Sequence, residues 1–548
     1  MLSKPMMAAV GCAAAIAASS CSPSVVDGRG SSTTKPRLIV LLTVDQLRGD
    51  LLERHSQDFD GGFKRLLETG FVYRNAVVDH ALTLSMAGHA SIATGNHPSR
   101  HGYTGNESWG ESARDGWWYQ SFTADPDYSI IGAPGEDGYS PTKLMSSSLT
   151  DWVLASDDEA KSVVLAVGSH VSVPYGGKTG HSVFNFDVES GQFSTSTYYR
   201  KSLPDWVESF NRETLPDWIE RSREWKSVFG APEAAPTDDE TTPGAVEEPS
   251  ARFPHEFSGA RDASDQSALY SWFKDTPFAD LAMSELAKAP IAEERLGLDD
   301  SVDLLVLAFN GVDNIGHLYG PHSAEQYENL RLLDTAIAAL LDYLDKTIGP
   351  DAYVVALTAD HGVMNVPERE SKQSRVGVRV SKAEIEALLD AVERAAVDGD
   401  DSLDSRIARM EAVLEGAPFV GQAWTQSELS KASAEDQFAT LYKKSRYEGR
   451  YDPFPLWTSS RRAYHPARYG ISVQFKENHV FYAAPAVHGS PYFNDRHVPI
   501  IFYGAGNWAG SALKPARTID VAPTLADIAG LKLVDSADGV SLRADFER

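Results

Sequence analysis

Residues 37–45 read RLIVLLTVD, an apolar run that ends on a carboxylate. Four later runs have a similar composition and begin at Lys161, Val302, Ala352 and His497: KSVVLAVG, VDLLVLAFNGVD, AYVVALTADHG and HVPIIFYGAG. Short runs rich in Val, Ile and Leu, without polar alternation, are typical of strands buried on both faces of a parallel sheet. Because helical patterns lie between them, the sequence predicts an α/β fold with a mostly parallel central sheet flanked by helices.

The clearest helical pattern spans residues 323–349, SAEQYENLRLLDTAIAALLDYLDKTIG. Its apolar residues fall on one helical face: Leu330, Leu333, Ile337, Leu340, Leu341 and Leu344. This face predicts a crossover helix that packs on the sheet, because connections between parallel strands place a helix there.

The beginning of the sequence has the pattern of an export signal. Residues 1–21, MLSKPMMAAVGCAAAIAASSC, contain a lysine and then a short apolar run of small residues. This pattern predicts a signal peptide and a periplasmic or secreted protein, followed by a flexible linker over residues 22–36. The segment AIAASSC also resembles a lipoprotein cleavage site, so Cys21 is a candidate lipid anchor and the one predicted link to a membrane.

Residues 37–548 are predicted to form the α/β domain, with two insertions that interrupt the alternation of strands and helices. Residues 231–262 include the Pro-, Ala- and acid-rich stretch APEAAPTDDETTPGAVEEPS, which indicates a flexible surface insertion. The second insertion, about residues 366–480, has helical patterns of its own, such as SKAEIEALLDAVERAAV, and is expected to form an insert or cap.

The charge balance limits the partners. The chain has 50 Lys and Arg against 77 Asp and Glu, a net charge of −27. A polyanion would be repelled at long range, so we expect no specific nucleic-acid partner. An anionic substrate would need a strong local positive centre, which a metal cluster provides.

Carboxylate and imidazole side chains follow three of the apolar runs. They are Asp45, Asp313 with His317, and Asp360 with His361, and a further histidine, His488, follows a short apolar run in VHGSPY. The carboxyl ends of parallel strands meet at one edge of a sheet, so these side chains would converge there. Each residue alone could be a helix cap or a core histidine, but together these oxygen and nitrogen donors predict a zinc site.

Residues 83–106, TLSMAGHASIATGNHPSRHGYTGN, place a serine where a helix is expected to begin. Ser85 could be an N-cap, whose oxygen accepts a hydrogen bond from a free backbone N–H group. The alternative is a nucleophile at the positive end of a helix, where a phosphate group would also bind. These residues alone leave both interpretations open.

The order of the motifs carries a family resemblance. In sequence they are VDQLRGDLL, SMAGHASIATGNHPSRHGYTGN, GVDNIGHLYGP, TADHGV and HGSPYFNDRHVPIIFYG. This order resembles the alkaline phosphatase superfamily, and most of all its type I phosphodiesterase/nucleotide pyrophosphatase branch and the related bacterial phosphate-irrepressible alkaline phosphatases. The resemblance extends over most of the chain from Arg37 to Gly530.

The resemblance implies a two-zinc phosphate ester hydrolase that acts on a small-molecule substrate through a phosphoseryl intermediate. It implies that one zinc ion is held by Asp313, His317 and His488, and the second by Asp45, Asp360, His361 and the oxygen of Ser85. It also implies that Ser85 is the nucleophile and that Asn106 binds a phosphate oxygen.

One motif of the related monoesterases is missing. They carry a Lys-x-Arg pair that meets the extra charge of a phosphate monoester, whereas Gly168 and His170 stand at the corresponding positions here, with Lys178 nearby. Because a diester carries one charge fewer, the sequence predicts a preference for phosphodiesters, with an alkaline phosphatase acting on monoesters as the alternative. An alternative of another class is a non-catalytic surface binding protein on the same fold.

Overall fold

A computed structural model describes residues 35–112, 116–230, 253–257, 266–368, 377–397, 402–447, 466–481, 484–504 and 508–546. The predicted signal peptide, the possible anchor at Cys21 and nearly all of the predicted linker lie outside these residues. Among the helices of the described residues, none has the length and apolar character needed to cross a membrane.

The strands, in chain order, are β1 (Leu38–Val44), β2 (Phe71–Val77), β3 (Glu107–Ser112), β4 (Gly116–Ser121), β5 (Ala124–Ile130), β6 (Ala133–Tyr139), β7 (Ser162–Ala166), β8 (Ser182–Asp187), β9 (Gln192–Ser194), β10 (Glu224–Trp225), β11 (His255–Glu256), β12 (Asp303–Phe309), β13 (Tyr353–Thr358), β14 (Val378–Val380), β15 (Val420–Trp424), β16 (Ser472–Phe475), β17 (His479–Phe481), β18 (His497–Gly504), β19 (Gly510–Ala512) and β20 (Ala516–Arg517).

The α-helices are α1 (Gly49–Arg54), α2 (Gly62–Thr69), α3 (Ser85–Thr94), α4 (Pro98–His101), α5 (Leu149–Leu154), α6 (Ser169–Gly176), α7 (Asp205–Glu213), α8 (Leu215–Ser222), α9 (Gln266–Lys274), α10 (Pro277–Leu286), α11 (Lys288–Glu293), α12 (Gly311–Tyr319), α13 (Ala324–Thr347), α14 (Lys382–Val397), α15 (Leu403–Glu415), α16 (Gln426–Ser430), α17 (Gln437–Ser445), α18 (Phe493–Arg496) and α19 (Val521–Ile528). Short 3-10 helices span Pro466–Tyr469, Thr518–Asp520 and Arg543–Asp545.

A ten-stranded mixed sheet forms the centre of the molecule, in the order β19-β2-β18-β13-β1-β12-β7-β8-β9, with β20 also paired to β2. Strand β1 pairs in parallel with both β12 and β13, and the parallel pairing continues through β7 to β8. Strand β18 runs antiparallel to both of its neighbours, β13 and β2. The expected α/β fold with a mostly parallel central sheet is therefore confirmed.

The five apolar runs form the core strands β1, β7, β12, β13 and β18. Their sequences are apolar throughout because side chains on both faces of the sheet are buried. In β1 the side chains of Leu38, Val40 and Leu42 enter one hydrophobic cluster, and those of Ile39 and Leu41 enter another on the opposite face. The long predicted helix is α13, and its six apolar residues are all buried in the first cluster.

The predicted insert between residues 366 and 480 has a small core of its own. Side chains of α14, α15, β15 and β16 make up this core, with Leu389, Met410 and Val473 among its buried members. A separate apolar cluster joins α17 to Ala81 and Leu82, which precede α3. The insert therefore packs beside the segment that leads to Ser85.

The predicted acidic insertion falls mostly outside the described residues, which include only 253–257 of it. There β11 pairs antiparallel with β10. His255 of this strand is buried, with its Nε2 atom 3.1 Å from Glu325 Oε1.

Candidate active site

The carboxyl edge of the central sheet collects the predicted site residues. Asp45 directly follows β1, and Asp360 lies two residues beyond the end of β13. Because β1 lies between β12 and β13 in register, Val44 is opposite Phe309 and Thr43 is opposite Thr358. The three strands therefore end side by side, as expected for a parallel sheet.

The first ligand set is formed by Asp313, His317 and His488. Asp313 and His317 are one turn apart on α12, and Asp313 Oδ1 lies 3.3 Å from His317 Nε2. His488 comes from the loop before β18, and its Nε2 atom lies 3.2 Å from His317 Nε2 and 3.6 Å from Asp313 Oδ1. The antiparallel direction of β18 brings this loop to the same edge of the sheet.

Backbone carbonyls orient both imidazoles of this set. The Nδ1 atom of His317 is 2.8 Å from the Ala486 carbonyl oxygen, and that of His488 is 2.7 Å from the Thr83 carbonyl oxygen. An Nδ1–H group that donates to a carbonyl leaves the Nε2 lone pair free, which is the arrangement of a metal-binding histidine.

The second ligand set is formed by Asp45, Asp360 and His361, all fully buried. His361 Nε2 lies 3.4 Å from Asp45 Oδ1 and 3.1 Å from Asp360 Oδ2. The other ring nitrogen, Nδ1, is 2.9 Å from the Gly362 carbonyl oxygen, so it repeats the orientation seen in the first set.

The charges of the second set fit a bound cation. Among the described residues, neither Asp45 Oδ1 nor Asp360 Oδ2 has a hydrogen-bond partner, although both atoms are buried. Burial raises the pKa of both carboxyls well above the ordinary value, and repulsion between the two carboxylates raises the pKa of Asp360 further. A divalent ion would offset this cost, and carboxylate and imidazole donors without thiolate suit zinc.

The first set is electrostatically different because it combines one carboxylate with two histidines, whereas the second combines two carboxylates with one. Burial alone would raise the pKa of Asp313, but His317 and His488 hold it below the ordinary value. Burial and the neighbouring His317 lower the pKa of His488 to about 4. His488 therefore presents a neutral imidazole at neutral pH, as a metal ligand requires.

Ser85 lies beside the second set and is buried. It is the first residue of α3, and its Oγ is 3.2 Å from His361 Nε2. Leu84 occupies the N-cap position of this helix. The N-cap interpretation of Ser85 is therefore wrong, and its hydroxyl instead faces the ligand set at the positive end of a helix.

Asn106 is held against the same helix terminus. Its Oδ1 accepts a hydrogen bond from the Met86 backbone N–H, at 3.0 Å. This bond uses the amide oxygen of Asn106 and leaves its Nδ2 group as the donor of the side chain. The structure thus brings together all eight residues predicted for the site.

The sequence interpretation missed several residues that support the carboxylates. His89 Nε2 lies 3.4 Å from both Asp45 Oδ2 and Asp360 Oδ2, and its Nδ1 is 2.9 Å from the Tyr175 hydroxyl. Asn310 Nδ2 donates to Asp45 Oδ2 at 2.9 Å. His89 was detectable, because it lies four residues after Ser85 and so on the same face of α3.

A buried carboxylate fixes the start of α12. Asp280 of α10 accepts the backbone N–H groups of Asn310, at 3.0 Å, and Gly311, at 2.8 Å. Burial raises the pKa of Asp280 to about 7. Since α12 carries Asp313 and His317, Asp280 positions two of the three residues of the first ligand set.

The positions of the missing Lys-x-Arg pair follow β7, at the same edge of the sheet. Gly168 is the N-cap of α6, and His170 lies in its first turn. Burial, together with the charges of His89 and Lys274, lowers the pKa of His170 to about 4. Lys178 lies beyond the far end of α6 and donates from Nζ to the Met145 carbonyl, so it does not replace the pair.

Comparisons with known proteins agree with this geometry. The family described as type I phosphodiesterase/nucleotide pyrophosphatase matches residues 39–453. The alkaline phosphatase PafA of Elizabethkingia meningoseptica is 29% identical over 532 residues, which cover 93% of this chain and 94% of that protein. The alkaline phosphatase PhoK of a Sphingomonas species is 27% identical over 542 residues, covering 93% of this chain and 91% of PhoK.

The fold is also similar to that of a solved relative. A crystal structure of a quadruply substituted PafA superposes with a TM-score of 0.81 at 26% identity, covering 93% of this chain and 99% of that one. The family match spans most of the chain, and the two ligand sets, one buried and one partly buried, are candidate sites for the metal ions. The chain belongs to the type I phosphodiesterase/nucleotide pyrophosphatase family of the alkaline phosphatase superfamily, and it is a metal-dependent phosphate ester hydrolase.

Proposed function

We propose that this protein is an alkaline phosphatase that hydrolyses phosphate monoesters through a phosphoseryl intermediate on Ser85. The observation that supports this most is the position of Ser85 Oγ beside His361 Nε2, at 3.2 Å, where a buried ligand set meets the positive end of α3. The two ligand sets would each hold one zinc ion.

Ser85 and Asn106 have different roles in this reaction. Ser85 Oγ forms a bond to phosphorus as the bond to the leaving alcohol oxygen breaks, and water later displaces Ser85 to release inorganic phosphate. The Asn106 amide, held by its bond to the Met86 N–H, donates to a non-bridging phosphate oxygen. When bound, zinc makes the serine hydroxyl more acidic and neutralises charge on the reacting phosphate.

The names of two relatives support a monoester substrate, in place of the diester substrate that the sequence predicts. PafA and PhoK are both alkaline phosphatases by name, and each matches more than nine tenths of this chain. A preference for phosphodiesters is the second candidate, and one observation favours it: Gly168 and His170 supply no fixed positive charge after β7.

Steady-state kinetics on a matched pair of esters separates these two functions. The zinc-loaded protein would be assayed with an aryl phosphate monoester and with the methyl diester of the same aryl phosphate. We expect kcat/KM for the monoester to be higher by at least about tenfold, which corresponds to about 1.4 kcal/mol of transition-state stabilisation. A diester preference of that size would replace the proposed function with the second candidate.

A further inference from the structure

Gln46 directly follows the ligand Asp45 and has an unusual backbone. Its φ angle is 67°, in the left-handed region that residues other than glycine rarely adopt. Its side chain is fully buried, and among the described residues its Oε1 atom has no hydrogen-bond partner. Both features cost free energy, and a glycine would avoid both. Strained residues of this kind cluster at active sites.

Gln46 contacts both ligand sets. Its backbone N–H donates to Asp360 Oδ1 of the second set, at 3.2 Å. Its side-chain Nε2 donates to Asp313 Oδ1 of the first set, at 2.5 Å. One residue therefore connects a carboxylate of each set.

The bonded oxygen of Asp313 is the one that faces the two histidines. Asp313 Oδ1 lies 3.3 Å from His317 Nε2 and 3.6 Å from His488 Nε2. A hydrogen bond to a metal-binding carboxylate fixes the orientation of that carboxylate. The Gln46 amide therefore orients Asp313 in the first set, while the Gln46 backbone is bonded to the second.

Gly316 leaves room for the Gln46 amide. It lies on α12 between Asp313 and His317, and a Cβ atom at this position would overlap Gln46 Oε1. A side chain at position 316 would therefore displace the amide from Asp313. This steric requirement accounts for a glycine inside a helix, where glycine is otherwise destabilising.

We propose that Gln46 is a positioning residue that links the two ligand sets and fixes the spacing of their metal ions. Because its backbone is bonded to Asp360, its side chain holds Asp313 at a set distance from the second site. The inference rests on the two-metal site of the proposed function, in which both ions must reach one phosphate group. It does not depend on which ester is preferred.

The test removes zinc stepwise from the zinc-loaded protein with a chelator of known affinity, which gives the zinc affinity of each site. Gln46→Met keeps the size of the side chain, and Gln46→Gly suits the left-handed backbone. Gly316→Ala is measured alone and together with Gln46→Gly. His488→Ala, which removes a ligand of the first set, identifies the step that belongs to the second site.

Asn211→Leu is the matched control. The Asn211 amide is also buried, but it bonds to the Phe193 backbone and not to a ligand. The variant should lower the free energy of unfolding, because a buried hydrogen-bonded amide is lost. It should leave both zinc affinities unchanged.

Gln46→Met and Gln46→Gly should each weaken zinc binding at the first site by about ten- to a hundredfold, the usual effect of losing a residue that orients a ligand. The second site should keep its affinity, because the backbone N–H of residue 46 is retained. With zinc in excess, kcat for the monoester should fall while KM changes little. Gly316→Ala should weaken the first site in the wild type but not in Gln46→Gly, where the amide is absent.

An unchanged affinity of the first site, or an equal loss at both sites, would overturn the inference. The same holds if Gly316→Ala has an equal effect with and without the Gln46 side chain, or if Asn211→Leu loses as much zinc affinity as the Gln46 variants. A wild type that holds fewer than two zinc ions would overturn the two-metal site together with this inference, so the two failures are distinguishable.

Discussion

At the scale of single residues, the position of Ser85 within its helix decides its role. An N-cap serine stabilises its helix through its side-chain oxygen, but Ser85 is the residue after the cap, and its hydroxyl faces His361. Its side chain therefore contributes little to the fold. The proposed function accounts for a hydroxyl at this position as the nucleophile.

Substitution of Ser85 by alanine should separate activity from stability. We expect Ser85→Ala to lower kcat for a phosphate monoester by at least about a thousandfold, because the nucleophile is lost. The free energy of unfolding should change by less than about 1 kcal/mol, the usual cost of a lost N-cap, because Leu84 and not Ser85 occupies the cap position. Kinetics and urea unfolding on the same preparation check both parts, and a variant within tenfold of wild-type turnover would exclude Ser85 as the nucleophile.

The sequence predicted the candidate metal ligands better than the residues that position them. Asp45, Asp313 and Asp360 follow apolar strands, so a local pattern identifies them. Asp280 and Tyr175 have no such signal, because their partners Gly311 and His89 are distant in the chain and only the fold brings them together.

At the scale of elements, strands buried on both faces were predictable and the others were not. Strand β2 contains Arg74 and Asn75, and its burial is mixed, so it has no continuous apolar run. The direction of β18 could not be predicted from its composition, since a buried strand can be apolar throughout whether it pairs in parallel or antiparallel. Its antiparallel direction matters, because it brings His488 to the site.

The contact between α10 and α12 predicts a pH-dependent stability. Burial raises the pKa of Asp280 to about 7, above its unfolded value of 3.8, so the folded state binds this proton more tightly. The stabilisation is complete below about pH 4 and is lost as the pH rises through about 7. Between pH 5 and pH 8 the ionisation of Asp280 should lower the free energy of unfolding by about 2 to 3 kcal/mol.

Asp280→Asn removes that titration while it retains the size of the side chain. Urea unfolding of metal-free wild type and variant at pH 5 and pH 8 isolates the contribution, because other titrating groups are common to both proteins. We expect the wild type to lose more stability than the variant between the two pH values. Equal losses would show that Asp280 has the same pKa in the folded and unfolded states.

At the scale of the whole molecule, the two ligand sets join distant parts of the chain. Their members range from Asp45 to His488, and they come from the ends of β1 and β13, from α12 and from the loop before β18. Two bound zinc ions would cross-link these segments in the folded state only, and a ligand that binds only the folded state stabilises it.

Removal of metal should therefore affect activity and stability together. We expect a chelator to abolish hydrolysis and to lower the Tm by several degrees, and about two equivalents of zinc per chain to restore both. An activity assay measures hydrolysis, calorimetry measures the Tm, and elemental analysis measures the bound zinc. Full activity at less than one metal ion per chain would contradict the two-metal site.

The most direct test of the account is to trap the phosphorylated enzyme. The zinc-loaded protein would be mixed with an excess of a phosphate monoester, quenched in acid within its first turnovers, digested and sequenced by mass spectrometry, with Ser85→Ala as the control. The account predicts a phosphoryl group on Ser85 in the wild type and none in the variant. A wild-type protein that turns over substrate with Ser85 unmodified, or a Ser85→Ala variant that keeps its turnover, would contradict it.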